Sequence, residues 1–423
     1  MKNRGTHNII YLLLGMLVTS CQEDFPPAPD YYQRPKINVS EKWRYRVPKN
    51  ERVIWIGSSN GTVVYLTNTF DEKKLTTYEF TKGGELIQTH KFVGGNYAED
   101  VKEYRKFRQE DDWISIRKGY RLLLLNYKTG EAYNLVNASD SKTQKPFDYF
   151  LGTQNRCFYQ RLDQDGNLLA MVWNLSSKQE NILGILGDRQ SNLKLMGERT
   201  NHDRSFDTDL LYLQSKFELE TGTIAYNIVG MFDDAFWGKK KWASDIIFRS
   251  SSNNYFDIAY LHNQYTAIVL DQQMICLIDH NLRKLVWKKN TGGRMNSNVI
   301  FDNTKMYYVE GDYLYSINYA SGTQNWRKGF GYAVNQIAAG KEWIIIPSYR
   351  EASNELFPPY SNQMNIADAR YGEQVYRNAD PLNVGSEVLD HIFRGVSHAV
   401  HFENNTLFCA DHQYFMALNL KRE

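Results

Sequence analysis

The chain has 423 residues, of which 42% are hydrophobic and 23% charged, so a disordered polypeptide is excluded and a large core is within reach. The formal net charge is +2, without the overall basic excess that nucleic-acid binding needs, and no nucleic-acid partner is expected. Aromatic residues make up 14%, with 29 Tyr and only 10 Pro, a bias that favours pleated sheet over helix.

Lys2 and Arg4 precede an apolar run over 9–18. The run is too short to span a bilayer and suits the core of a signal peptide. It ends Val18-Thr19-Ser20-Cys21, which resembles the lipobox of bacterial lipoproteins. That resemblance implies that Cys21 is acylated and becomes the mature N-terminus, anchoring the protein to the membrane. Residues 21–40 contain FPPAPDYYQRP, a Pro-rich stretch suited to a tether. The expected organisation is therefore a lipoprotein signal peptide over 1–20, the lipidated Cys21 and tether over 21–40, and one repeat array over 41–423. The expected location is the outer membrane, at either its periplasmic face or the cell surface. Glu23 and Asp24 resemble the surface-export tag of some Gram-negative lipoproteins; they also read as ordinary solvated chain.

From residue 41 onward one spacing recurs. An Asp, Asn or Glu ends a strand-like run, Gly follows four places on, and an aromatic or branched residue follows eight places on. Along the chain the units are Glu79-Gly83-Ile87, Asn126-Gly130 with Tyr133 one place early, and Asn174 with Ile182 but no Gly. Glu218-Gly222-Tyr226, Asp279 with Trp287 but no Gly, Asn318-Gly322-Trp326 and Asp368-Gly372-Tyr376 follow, and Asn419 opens a copy that the chain end interrupts. The anchors lie roughly fifty residues apart, and each unit has a further apolar run upstream, such as MYYV, WIII or TLFCA. Asp and Asn side chains bond to turn backbone, and Gly supplies the positive φ that closes such a turn. The residue at the eighth place is expected to pack between neighbouring sheets. Repeated four-stranded units of this kind specify a β-propeller. The last copy lacks its outer strand, and KWRYRV near the N-terminus matches NWRKGF, with Trp43 standing for Trp326. The fold expected is all-β, an eight-bladed propeller of four-stranded antiparallel blades, its last blade closed by N- and C-terminal strands.

The segments SINYASGTQNW and IADARYGEQVY resemble the repeat of quinoprotein-like propellers. The resemblance covers most of 42–420, sharply near 279, 318, 368 and 419. The family includes enzymes that bind pyrroloquinoline quinone and non-enzymatic scaffolds, notably the lipoprotein propeller of the outer-membrane barrel-assembly machinery. The enzyme branch implies two adjacent cysteines beneath the cofactor and a calcium site. No two Cys here are adjacent, so no cofactor is expected. Cys157, Cys276 and Cys409 form no CxxC pair and no zinc spacing, and are expected to be small buried residues, with one disulfide among them left open.

No catalytic or metal site is expected. The sequence holds no GxSxG, HExxH or P-loop. His398, His401 and His412 lie close in sequence with Asp411 as the nearest further ligand, and read as surface or satisfied histidines. The pairs Asp111-Asp112 and Asp233-Asp234 are expected in solvated turns. The insertions carry more information. MFDDAFWGKKKW places Phe232, Phe236, Trp237 and Trp242 beside Lys239, Lys240 and Lys241. SYREASNELFPPYSNQ brings Tyr349, Phe357 and Tyr360. These seven aromatics are the candidate partner-binding residues, for an outer-membrane protein or a glycan; the alternative for 231–242 is a loop capping its own blade. The function expected is a non-enzymatic, lipid-anchored interaction scaffold at the bacterial outer membrane. A surface propeller binding a glycan or small ligand is the alternative, and a quinone-dependent dehydrogenase the third reading.

Overall fold

The computed structural model describes residues 35–59, 61–69, 74–93, 107–118, 121–136, 149–152, 154–188, 192–200, 208–234, 238–250, 256–262, 264–270, 273–279, 282–295, 298–302, 304–330, 337–351, 360–377, 399–411 and 413–423. The leader, Cys21 and most of the tether lie outside them, as do Phe236, Trp237, Phe357, His398 and His412.

Among the described residues the structure is all strand. Strand β1 (Ile37–Arg46) is set apart from its neighbours in sequence. Blade 1 holds β2 (Glu51–Ser59), β3 (Thr62–Thr69), β4 (Lys74–Thr81) and β5 (Leu86–Val93). Blade 2 holds β6 (Phe107–Glu110), β7 (Trp113–Lys118), β8 (Arg121–Asn126) and β9 (Ala132–Val136). Blade 3 holds β10 (Tyr149–Gly152), β11 (Arg156–Leu162), β12 (Asn167–Asn174) and β13 (Gln179–Asp188). In blade 4, β14 (Asn192–Thr200), β15 (Thr208–Glu218) and β16 (Thr223–Asp234) are followed by a fourth strand in two pieces, β17 (Gly238–Ala243) and β18 (Phe248–Ser250), both paired to β16. Blade 5 holds β19 (Phe256–His262), β20 (Tyr265–Leu270), β21 (Met274–Asp279) and β22 (Lys284–Asn290). Blade 6 holds β23 (Ile300–Asp302), β24 (Lys305–Glu310), β25 (Tyr313–Asn318) and β26 (Gln324–Gly329). Blade 7 holds β27 (Ala338–Ala339), β28 (Trp343–Glu351), β29 (Tyr360–Asp368) and β30 (Gln374–Arg377). Blade 8 holds β31 (His401–Glu403), β32 (Thr406–Ala410), β33 (Tyr414–Arg422) and, as its fourth strand, β1.

The unit from Pro35 to Glu423 is thus the expected eight-bladed propeller, closed by both ends of the array. First strands touch first strands of the next blade, as β14 does β10 and β19, so they line the axis and the fourth strands form the rim. β25 is the third strand outward. Apolar side chains form eight clusters, each at the seam between two consecutive blades. That is why second and third strands read as unbroken apolar runs instead of alternating ones. Ile344, Ile345 and Ile346 are all fully buried, facing blades 6 and 8 in turn. The three cysteines are buried and free, filling seams as small apolar groups, with no disulfide. Burial pushes the Cys276 thiol up to about 12 and raises Cys157 and Cys409 further.

Closure is extensive. β1 pairs with β33 from Ile37↔Arg422 to Arg46↔Tyr414, slipping one residue at Lys42. Trp43 then stacks on Phe80 of blade 1 at 5.3 Å, as the match to Trp326 predicts.

Candidate functional site

The recurring spacing is a turn between third and fourth strands. Asn126, Asn174, Asp279 and Asn318 each accept a backbone N–H from two or three residues on through Oδ1, at 2.9–3.1 Å. The anchor's carbonyl accepts from the Gly N–H at Gly130, Gly322 and Gly372. Those glycines have φ of 75, 72 and 71°, and the two copies without Gly put Lys178 (φ 57°) and Arg283 (φ 55°) in the same left-handed region. The backbone shape is therefore kept where the residue is not.

The eighth-place residue serves the next blade. A Cβ on Gly322 would lie 2.8 Å from Trp287 Cγ, and one on Gly372 would lie 2.6 Å from Trp326 Cε3. In blades 1, 2, 6 and 7 the carbonyl following the anchor receives a donor from the preceding blade. Trp43 Nε1 donates to Lys82 O at 3.1 Å and Trp287 Nε1 to Tyr319 O at 2.6 Å. Gln88 Nε2 donates to Tyr127 O at 3.0 Å and Lys305 Nζ to Ala369 O at 3.0 Å.

Four details of the sequence reading change. In blade 1 the anchor is Thr81 and the positive-φ residue is Gly84 (φ 96°), so the wedge is Gln88 and Ile87 is exposed. A one-residue bulge precedes the wedge in blades 1, 5, 6, 7 and 8. Blade 2 lacks it, which is why Tyr133 comes one place early yet holds the same position opposite Leu124. In blade 3 no bulge precedes Ile182, which faces outward, 47% exposed. The Glu218–Gly222 turn has the expected 2.9 Å bond, but it joins second to third strand; Tyr226 beyond it is buried and stacks on Phe248 at 4.6 Å. Asp233 and Asp234 end β16 instead of forming a turn, while Asp111 and Asp112 do form one.

A polar cluster sits where the ring closes. Ser58, at the end of β2, donates to Glu403 Oε2 at 2.9 Å and lies 2.8 Å from His401 Nε2. Lys82 Nζ reaches Glu403 Oε1 at 2.8 Å. His401, Lys82 and Ser58 together hold the Glu403 carboxyl well below the usual carboxylate range, His401 contributing most, against the cost of partial burial. The serine proton is already directed at a carboxylate, so the imidazole is left to donate to Ser58 Oγ. That is the reverse of nucleophile activation, where imidazole accepts the proton. The cluster ties blade 8 to blade 1, and His401 is the satisfied histidine expected. No group of three or more His, Cys, Asp or Glu among the described residues could hold a metal ion.

The two insertions are strand extensions. Hairpin β28–β29 has nine residues in each arm, against six in each arm of β24–β25. Tyr349 stands opposite Asn362, and Tyr360 opposite Glu351. In blade 4 the ladder β16–β17 pairs Phe232 with Lys240 and Trp242 with Gly230. Hairpins joining second to third strands emerge on one face of a propeller and those joining third to fourth on the other. The sets 349/360 and 232/242 therefore lie toward opposite faces and do not form one site.

Fold and geometry define the class as an eight-bladed β-propeller with a polar closure and two extended hairpins. No protein-family model and no curated protein matches the sequence. Among solved structures, the computationally designed Ika8 protein is similar at 12% identity over 87% of this chain and 96% of that one, with a TM-score of 0.51. BamB from Moraxella catarrhalis aligns at 10% identity over 90% of this chain and 100% of that one, TM-score 0.47. Sqt1 from Saccharomyces cerevisiae aligns at 9% identity over 88% and 97%, TM-score 0.49. At these identities the similarity bears on fold alone.

Proposed function

We propose that this protein is a non-enzymatic interaction scaffold, held at the bacterial outer membrane by an acylated Cys21. The observation that carries the reading is the pair of hairpins that outgrow the repeat. Each continues a blade's own hydrogen-bonded ladder beyond the repeat and places aromatic positions on that extension, and extensions of a repeat scaffold are the usual place for binding residues. Ser58 and His401, the arrangement closest to a catalytic pair, are committed to Glu403 and hold a seam.

The test is a pull-down from mild-detergent extracts with the lipid anchor intact. One variant has 352–359 replaced by Asn-Gly, a turn suited to a two-residue hairpin, and another has Trp242→Ala. A membrane protein recovered with the parent and lost from either variant, with unchanged melting temperature, is the expected result. Recovery of no partner, together with specific glycan-array binding, overturns it in favour of a glycan-binding propeller.

A further inference from the structure

The net charge of +2 conceals a segregation. Fourth strands β22 and β26 belong to adjacent blades and carry Lys284, Lys288, Lys289, Arg327 and Lys328, with no Asp or Glu in either strand. β1, the fourth strand of blade 8, adds Lys42, Arg44 and Arg46 against Glu41 alone. Across the ring, β9 has no charged residue, and β13 has Glu180 and Asp188 with no Lys or Arg. β17 of blade 4 carries Lys239, Lys240 and Lys241, β5 of blade 1 carries Lys91 and β30 of blade 7 carries Arg377, so the rim strands without a cation are those of the neighbouring blades 2 and 3.

Edge strands do use charge to prevent sheet-to-sheet pairing. That need is the same for every rim strand and is met by either sign. It explains neither the bare β9 nor the single sign on β22 and β26. The cations are also available: Lys284, Lys288 and Arg327 are exposed and make no ion pair among the described residues. Arg327 is held in place, its guanidinium 3.8 Å over the Tyr313 ring.

We propose that the adjacent fourth strands of blades 5 and 6 form a docking face for a bilayer surface containing anionic phospholipid. Charge complementarity selects the occupant, and chain connectivity supports it. The tether from Cys21 enters the propeller at Ile37, the start of β1 in blade 8, two blades round the ring from blade 6. A Pro-rich tether of that length spans about 50 Å when extended, so it keeps the cationic rim within reach of the surface holding the lipid. In this part the inference rests on the anchored reading above. Basic residues near an anionic leaflet each strengthen binding about fivefold, an effect confined to roughly a Debye length.

The test uses the full chain carrying Cys21→Ser, so that acylation contributes nothing. Sedimentation with phosphatidylcholine vesicles is compared with sedimentation with vesicles containing phosphatidylglycerol, at low and high salt. The expected result is binding to the anionic vesicles only, lost at high salt. Lys284→Gln, Lys288→Gln and Arg327→Gln combined should weaken it on the order of 100-fold. Lys49→Gln, Lys216→Gln and Lys341→Gln combined, which remove equal charge elsewhere, should have little effect. Binding to neutral vesicles, equal loss in both triple variants, or tighter binding to duplex DNA or an acidic protein than to the vesicles would each overturn the proposal. Fatty-acid labelling of the unmodified chain reports the anchor separately, so loss of the anchored reading and loss of the docking face give different results.

Discussion

At Gly322 two demands meet: a φ of 72° and a Trp287 ring where a Cβ would be. Lys178 and Arg283 show that the left-handed backbone alone is tolerated by other residues. Gly322→Ala should cost about 2–3 kcal/mol in urea unfolding, from left-handed strain plus overpacking. In a Trp287→Ala background only the strain remains, about 1 kcal/mol. An equal cost in both backgrounds would show that the wedge does not press on the neighbouring turn. Glu403 gives a second residue-scale prediction. Its carboxyl titrates lower in the folded protein than in the unfolded chain, so its stabilising effect is complete above the ordinary carboxylate pKa and fades as pH falls through the folded value. The stability gap between the parent and Glu403→Gln should therefore be widest near neutral pH. It should narrow on acidification below about pH 4.5. A gap independent of pH would remove the ionised carboxylate from the closing seam.

At the scale of one hairpin, the anchor and wedge were legible wherever Asn or Asp led to Gly and then to an aromatic residue. Asn318 and Asp368 are such cases, because turn chemistry is local. The misreadings in blades 1 and 3 have different causes. In blade 3 the bulge is missing; a bulge adds one residue and flips every side chain beyond it, and nothing in a short window reveals whether one is present. In blade 1 the bulge is present but the turn is one residue shorter, Gly84 following Thr81 by three places, and Glu79 stands two residues before that anchor, fully buried, with Gln88 of the adjoining strand and Lys128 of the next blade's turn as its partners. Glu218 illustrates a further cause. A turn of identical chemistry can join second to third strand as well as third to fourth, and only counting strands from the axis separates the two.

At the scale of the whole molecule, stability depends on joining the two ends of the array. β1 supplies the rim of blade 8, and with Trp43 and Tyr45 it covers the seam that holds Phe80 and Phe415. Deleting Ile37–Arg46 should expose the β33 edge and one apolar seam, giving association detectable by light scattering and a markedly lower melting temperature. A monomeric deletion variant with an unchanged melt would mean that the ring does not need its closing strand. The same circular order sets the cationic fourth strands of blades 5 and 6, some forty residues apart in sequence, side by side on the rim.

The sequence by itself determined the propeller, the number of blades and the strand that closes them. Each follows from a periodic pattern of short-range turn chemistry and from one unmatched copy at the chain end. Only the tertiary structure decided which residue wedges against which turn, that the two insertions face opposite ways, and that the cationic strands of blades 5 and 6 stand side by side on the rim. Those properties depend on bulges, on strand order from the axis, and on which blades are neighbours around a circle, none of which is a distance along the chain.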